Sequence, residues 1–87
     1  MTRHTLRTDG LTWREIDGEI VALEGRRSLY LSANGSGGML WRMLADGATR
    51  DELADALVTS YGIDADEAGT DTDRFLEQVR GAGLLTA

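Results

Sequence analysis

The chain contains no cysteine, no proline, no lysine and a single histidine. Without cysteine, a disulfide framework, a zinc–thiolate site and a thiol nucleophile are excluded. The only histidine, His4, lies in an N-terminal stretch that we expect to be a tail, so no Ser-His-Asp, Cys-His or zinc arrangement is assembled around it. We therefore predict a protein that is not an enzyme and that holds no metal and no cofactor.

Long apolar runs are also missing. No stretch approaches the roughly 18–20 apolar residues that span a bilayer, and residues 1–8 lack the apolar segment of a signal peptide. We expect a cytoplasmic protein without a membrane partner.

Positive charge is scarce. Nine arginines stand against fifteen acids, for a net charge of −6, which opposes affinity for a phosphate backbone. Residues 46–87 hold three arginines and ten acids, so the C-terminal half should repel nucleic acid.

The 87 residues suffice for one domain, because a chain of this length buries only about 60–65% of its unfolded surface. We interpret residues 1–10 as a flexible N-terminal tail and residues 11–87 as the folded domain.

Residues 11–16 alternate between apolar and polar, which is the period of a β-strand. Residues 20–23 follow this period loosely, and 29–31 follow it with their flanking serines. Asp17-Gly18 joins the first two segments with the residues favoured in a type I′ hairpin, and Gly25-Arg26 joins the second pair. The pattern predicts a three-stranded antiparallel meander.

After the strands the apolar spacing becomes helical. A first helix is predicted from about 35 or 36 to 45, with Ser36 as N-cap and Gly47 after its end. Its apolar face carries Met39, Leu40, Trp41, Met43 and Leu44.

Two more helices follow. The capping box Thr49–Glu52 starts the second helix and Gly62 ends it, whereas Asp64 caps a third helix that ends at Gly81 or Gly83. Their buried faces are predicted to carry Leu53, Ala54, Leu57, Val58 and Tyr61 in one helix, and Ala68, Thr72, Phe75, Leu76 and Val79 in the other. Low helix propensity at Gly69, Thr70 and Thr72 predicts irregularity near 69–72.

Three strands followed by three helices make an α+β, winged-helix-like domain, and the order of its motifs resembles the PqqD-like proteins. Those proteins are recognition modules that hold the leader segment of ribosomally made precursor peptides for the enzymes that modify them. The resemblance rests on Leu29-x-Leu31-Ser32, on Met39-Leu40-Trp41-x-Met43-Leu44-x-Asp46-Gly47, on Thr49-x-x-Glu52-Leu53 with Tyr61-Gly62-Ile63-Asp64, and on Phe75-Leu76-x-x-Val79 with Gly83-Leu84-Leu85.

The resemblance implies a stand-alone element of the kind found in lasso-peptide biosynthesis. Such a protein binds a precursor leader peptide and delivers it to a separate leader peptidase or other maturation enzyme. It would act as a monomer or weak dimer.

The third strand must be an edge of a meander, so its free N–H and C=O groups can pair with an extended peptide. The third helix would form the other wall of the site. The predicted peptide-binding residues are Arg27, Ser28, Leu29, Tyr30, Leu31 and Ser32 on the strand, and Asp73, Phe75, Leu76, Val79 and Arg80 on the helix. In each case the alternative is a plain core residue or a solvated charge.

Other functions are weighed against this one. A winged-helix DNA-binding regulator would need a basic recognition helix, and a pathway scaffold would bind another protein without a peptide ligand. The glycine-rich segment 34–38 lacks the lysine of a phosphate loop, and Asp64 with Asp66 fits helix capping better than a calcium loop.

Overall fold

The computed structural model describes residues 2–25 and 29–86. Strands β1 to β4 are followed by three helices, with one short strand between the first two helices. The elements are β1 (Arg3–His4), β2 (Leu11–Ile16), β3 (Glu19–Glu24), β4 (Leu29–Ala33), α1 (Gly35–Asp46), β5 (Ala48–Thr49), α2 (Arg50–Tyr61) and α3 (Ala65–Gly81). The predicted α+β order, a three-stranded antiparallel sheet followed by three helices, is confirmed.

The meander has the strand order β2-β3-β4 with antiparallel neighbours. Its first turn has positive φ at both central residues, 52° at Asp17 and 81° at Gly18, as a type I′ turn requires. The predicted hairpin is therefore confirmed. The second predicted turn, Gly25-Arg26, lies partly outside the described residues.

Helix ends follow the sequence signals with one exception. The Thr49 hydroxyl accepts from the Glu52 amide at 3.1 Å, and the Glu52 carboxylate accepts from the Thr49 amide at 2.8 Å, which confirms the capping box. Asp64 accepts from the Glu67 amide at 2.8 Å. The predicted N-cap Ser36 is wrong by two positions: Asn34 holds the N-cap of α1, and its side chain makes no capping hydrogen bond.

Helix α3 is continuous through the segment where irregularity was predicted. Thr72 is fully buried, so tertiary packing outweighs its low propensity. A side chain at Gly69 would meet the Arg50 guanidinium at 2.7 Å. Glycine is therefore the residue that lets Arg50 of α2 lie across α3.

The core lies between the sheet and the helices. Its fully buried large apolar side chains are Ile20, Leu44, Leu53, Leu57 and Leu84. The helical spacing also placed Val58 and Tyr61 on the buried face of α2, but the structure exposes 36% and 50% of them. In the described ranges no helix combines the length and the apolar character that crossing a membrane demands.

The N-terminal segment is not the flexible tail that we predicted. Strand β1 pairs with β5, and Leu6 is only 3% exposed. The Leu6 amide donates to the Leu44 carbonyl at 3.0 Å, and the Arg7 amide donates to the Leu84 carbonyl at 2.7 Å. Leu6 is a single leucine among polar residues and belongs to no periodic pattern, so the sequence did not predict its burial.

The packing of Leu6 can be tested directly. Leu6→Ala removes a buried side chain and leaves a cavity, so the free energy of unfolding should fall by about 2–5 kcal/mol. Urea denaturation followed by tryptophan fluorescence measures it. Thr2→Ala, at an exposed position of the same segment, should change the value by less than about 0.5 kcal/mol. Equal stability of both variants would contradict the observed packing.

Candidate functional site

The hydrogen-bonding pattern of β2 and β3 is set at both ends of the pair. A two-residue hairpin makes Ile16 and Glu19, the residues flanking the turn, a hydrogen-bonded pair. At the other end the Gly25 amide donates to the Gly10 carbonyl at 2.8 Å. Because bonded pairs recur at every second residue in an antiparallel ladder, the two ends agree on one pattern.

This pattern determines which backbone groups of β4 face outward. In β3, Val21 bonds to β2, so its neighbour Ala22 directs its N–H and C=O toward β4 and its partner Leu31. On β4 the residues on either side of Leu31 therefore point the other way. Tyr30 and Ser32 direct their amides and carbonyls to the edge of the sheet. Among the described residues β4 pairs with β3 alone.

An apolar groove runs beside this edge, between β4, α1 and α3. Its volume is about 310 Å³, at the lower end of the 300–1,000 Å³ typical of ligand pockets. It is lined by Ile20, Ala22, Leu31, Ser32, Ala33 and Asn34 from the sheet and the segment after it, by Gly37 and Trp41 from α1, and by Phe75, Gln78, Val79, Ala82 and Leu84 from α3 and the segment after it. The groove and the free strand edge thus form one continuous site.

Four of the predicted site residues line the groove: Leu31, Ser32, Phe75 and Val79. Tyr30 is 64% exposed and lies on the opposite face of the sheet from Leu31, as the period-two alternation predicts. It contributes its backbone rather than its side chain to the edge.

The other predicted helix residues lie away from the groove. Leu76 is 5% exposed and belongs to the core. Asp73 accepts from Arg50 at 2.7 and 3.0 Å, and Arg80 lies 3.7 Å from Glu77.

Of the predicted strand residues, Arg27 and Ser28 lie outside the described residues. Leu29 pairs with Glu24 at the start of β4. Its place in the ladder follows the prediction.

Some groove residues were missed in the sequence. Gln78 and Ala82 lie three and seven positions after Phe75 and share its helix face, so helical spacing could have found them. No sequence pattern marked Ala33 and Gly37 as groove residues, because they contribute only by being small enough to leave room in the groove.

Trp41 is a rigid part of the groove wall. It is 3% exposed, and its ring meets Trp13 edge-to-face with 6.1 Å between centroids, a favourable aromatic geometry.

Charge on the helices is mainly negative. Helix α3 carries five acids and two arginines, a poor match for a DNA groove. The Arg50 guanidinium, through its hydrogen bond and then its charge, holds the pKa of Asp73 below its usual value. At the start of α2, the hydrogen bond from the Thr49 amide lowers the pKa of Glu52, and Arg3 lowers it further. Within the described ranges no group of three or more potential metal ligands comes together.

Comparison with known proteins adds to this geometry. The family model of the coenzyme PQQ synthesis protein D (PqqD) matches residues 19–85. A solved structure of TbiB1 in complex with the TbiA(beta) leader peptide is similar over 95% of both chains, with a TM-score of 0.87 and 25% identity. A second, lasso peptide synthetase B1 complexed with the leader peptide, shares the fold at a TM-score of 0.84 and 21% identity, over 97% of this chain and 98% of that chain. No curated protein matches the chain.

The contact between Arg50 and Asp73 predicts a pH-dependent stability. The pKa of Asp73 is lower in the folded state, so its carboxylate contributes stability that is present above the unfolded value of about 3.9 and is lost as the pH falls through the folded value. Asp73→Asn should therefore lower the urea midpoint at neutral pH, and the difference from wild type should shrink as the pH falls below the unfolded value. Asp55→Asn, which removes an exposed charge from α2, is the control. A pH-independent difference would contradict this account.

Proposed function

The chain belongs to the PqqD family, and on this premise we propose that it binds the leader segment of a ribosomally made precursor peptide. The peptide adds to the edge of β4 as a fourth strand, beside α3. The observation that carries the proposal is the free edge of β4 running along an apolar groove. The similar structure of TbiB1, which holds a leader peptide, supports it.

The ladder of β4 sets the register of such a peptide. Tyr30 and Ser32 offer two amides and two carbonyls, which bond every second residue of an added strand. The peptide residue opposite Leu31 has its side chain on the same face as Leu31 and points into the groove. Apolar side chains at alternate positions of the leader therefore act as anchors.

The anchors supply most of the affinity. Four backbone bonds contribute about 1 kcal/mol each, whereas association costs roughly 4–15 kcal/mol. Two or three buried apolar side chains add about 1.5–3 kcal/mol each. Together these terms reach micromolar binding, about −8 kcal/mol, only when the groove is filled.

Small residues define where the largest anchor fits. Ala33, Gly37 and Ala82 lie on three different walls of the groove, and a Cβ at Gly37 would only touch the Ala33 methyl at 3.7 Å. These three small side chains therefore leave room in the groove for a bulky side chain of the peptide.

The protein acts by binding rather than by catalysis. Holding the leader raises the effective concentration of the rest of the precursor at a separate maturation enzyme, which we propose is a lasso-peptide leader peptidase. Its effect would be a lower apparent KM for the precursor. Because the precursor is made on ribosomes, we place this encounter in the cytoplasm.

The ladder predicts an alternating response to backbone modification of the leader peptide. N-methylation removes an amide donor, so at residues bonded to Tyr30 and Ser32 it should weaken binding at least about tenfold, since each lost bond leaves a carbonyl of β4 unsatisfied. Residues between them should tolerate it within about threefold. Fluorescence anisotropy with a singly methylated peptide series measures this. A uniform or irregular response would argue against strand addition.

Filling the groove should also weaken binding. Ala82→Leu adds a side chain to the groove wall, and the dissociation constant for the leader peptide should rise at least about tenfold, the worth of about one displaced apolar anchor. Gly81→Leu adds the same side chain one position away, where it meets open space, and should leave affinity unchanged. Thermal unfolding checks that both variants fold. Equal affinities would remove the groove from the site.

A further inference from the structure

The face of the sheet that points away from the groove carries a group of exposed apolar side chains beside the polar residues Thr12, Glu19 and Ser32. The described part of the chain has five large exposed hydrophobic residues, and three of them, Ile16, Leu23 and Tyr30, lie on this outer face. Their exposed fractions are 48%, 50% and 64%. A monomeric sheet with one solvated face normally has polar residues there.

These side chains lie close together. Leu23 and Tyr30 are direct partners across β3 and β4, a pairing that places their Cβ atoms about 4.5–5.5 Å apart. The half-buried Val21 is two residues from Leu23 on the same face, and it pairs with Arg14 of β2. We call Arg14, Ile16, Val21, Leu23 and Tyr30 the outer patch.

Arg14 is the charged member of the outer patch, and it is exposed. Among the described arginines it alone takes part in no ion pair, although the protein has a net charge of −6. The paired ones are Arg3, Arg7, Arg42, Arg50, Arg74 and Arg80. An arginine without an ion pair, beside these apolar side chains, complements a partner surface that is apolar and carries a carboxylate.

The outer patch is continuous with the proposed peptide site. Side chains alternate between the two faces of a strand, so a leader residue bonded to Tyr30 or Ser32 directs its own side chain to the outer face. The bound peptide therefore enlarges the outer patch, and a partner that sits there contacts the outward side chains of the peptide without displacing it. The groove on the other face stays filled.

We infer that the outer patch is the docking surface for the maturation enzyme. The matching enzyme surface is apolar at its centre and presents a carboxylate to Arg14. This inference rests on the proposed function. It adds that the enzyme binds to the outer face of the sheet while the leader peptide is bound at β4.

The test uses the full chain and a purified lasso-peptide leader peptidase. Leu23→Asn and Arg14→Glu should each weaken binding of the peptidase at least about tenfold, the worth of one apolar contact or one charge pair. Both variants should keep the wild-type affinity for the leader peptide. The matched control is Tyr61→Asn on α2, since Tyr61 has the same 50% exposure as Leu23. It should change neither affinity.

Binding of the peptidase is measured by titration with and without a saturating leader peptide. Unchanged peptidase affinity in Leu23→Asn and Arg14→Glu would overturn the inference, and so would displacement of the peptidase by the leader. Analytical ultracentrifugation tests whether the outer patch instead binds a second copy of this chain. If the wild type is a dimer and Leu23→Asn is a monomer, the outer patch is a dimer interface and the inference is overturned. If the leader alone does not bind, the proposed function fails, and the peptidase titration still decides the role of the outer patch.

Discussion

The proposed site depends on one constraint: only alternate residues of β4 use their backbone N–H and C=O groups to bond to β3. The ladder with β3 engages Leu31 and its alternate neighbours, and it leaves Tyr30 and Ser32 with backbone groups directed outward. An edge of this kind invites a further strand. In the described part of the chain, neither terminal segment takes that place, because β1 pairs with β5 and Leu6 forms a bridge with Leu85.

The N-terminal segment is thus a packed part of the fold and not a flexible tail. It ties the chain ends together, with the Thr86 amide donating to the Thr5 carbonyl at 2.9 Å and Arg7 bonded to the buried Glu24 at 2.7 Å. These contacts hold the terminal segment on the side of β5 and the C-terminus. As a result residues 2–25 and 29–86 leave the edge of β4 available.

Helix α3 serves two surfaces at once. Ala68, Thr72 and Leu76 face the core, whereas Phe75 and Gln78 line the groove. The contact of Arg50 with Asp73, made across Gly69, joins α3 to α2. The groove wall is therefore a packed helix whose position is set from behind, so the site is preorganised and the cost of ordering it on binding is small.

Much of this arrangement could be read from local patterns. The hairpin at Asp17-Gly18 and the capping box at Thr49 were predicted correctly, because each depends on residues that are adjacent in the chain. Propensity failed at Gly69, where burial against another helix outweighs the local preference. Periodicity also failed for Val58 and Tyr61 of α2, which are exposed. The spacing of apolar residues along a helix does not show which of them pack against another element.

Local order was thus determined by the sequence alone: the three strands of the meander, three helices, the first turn, the N-caps of α2 and α3, and a free third strand. Only the tertiary structure decided that Asp73 binds Arg50 instead of facing the groove, and that Ala33, Gly37 and Ala82 leave room in the groove wall. It also decided that Leu6 is core. Turns, caps and strands depend on residues that are close in sequence, so local patterns predict them. The space between packed elements depends on residues far apart in sequence, so no local pattern predicts it.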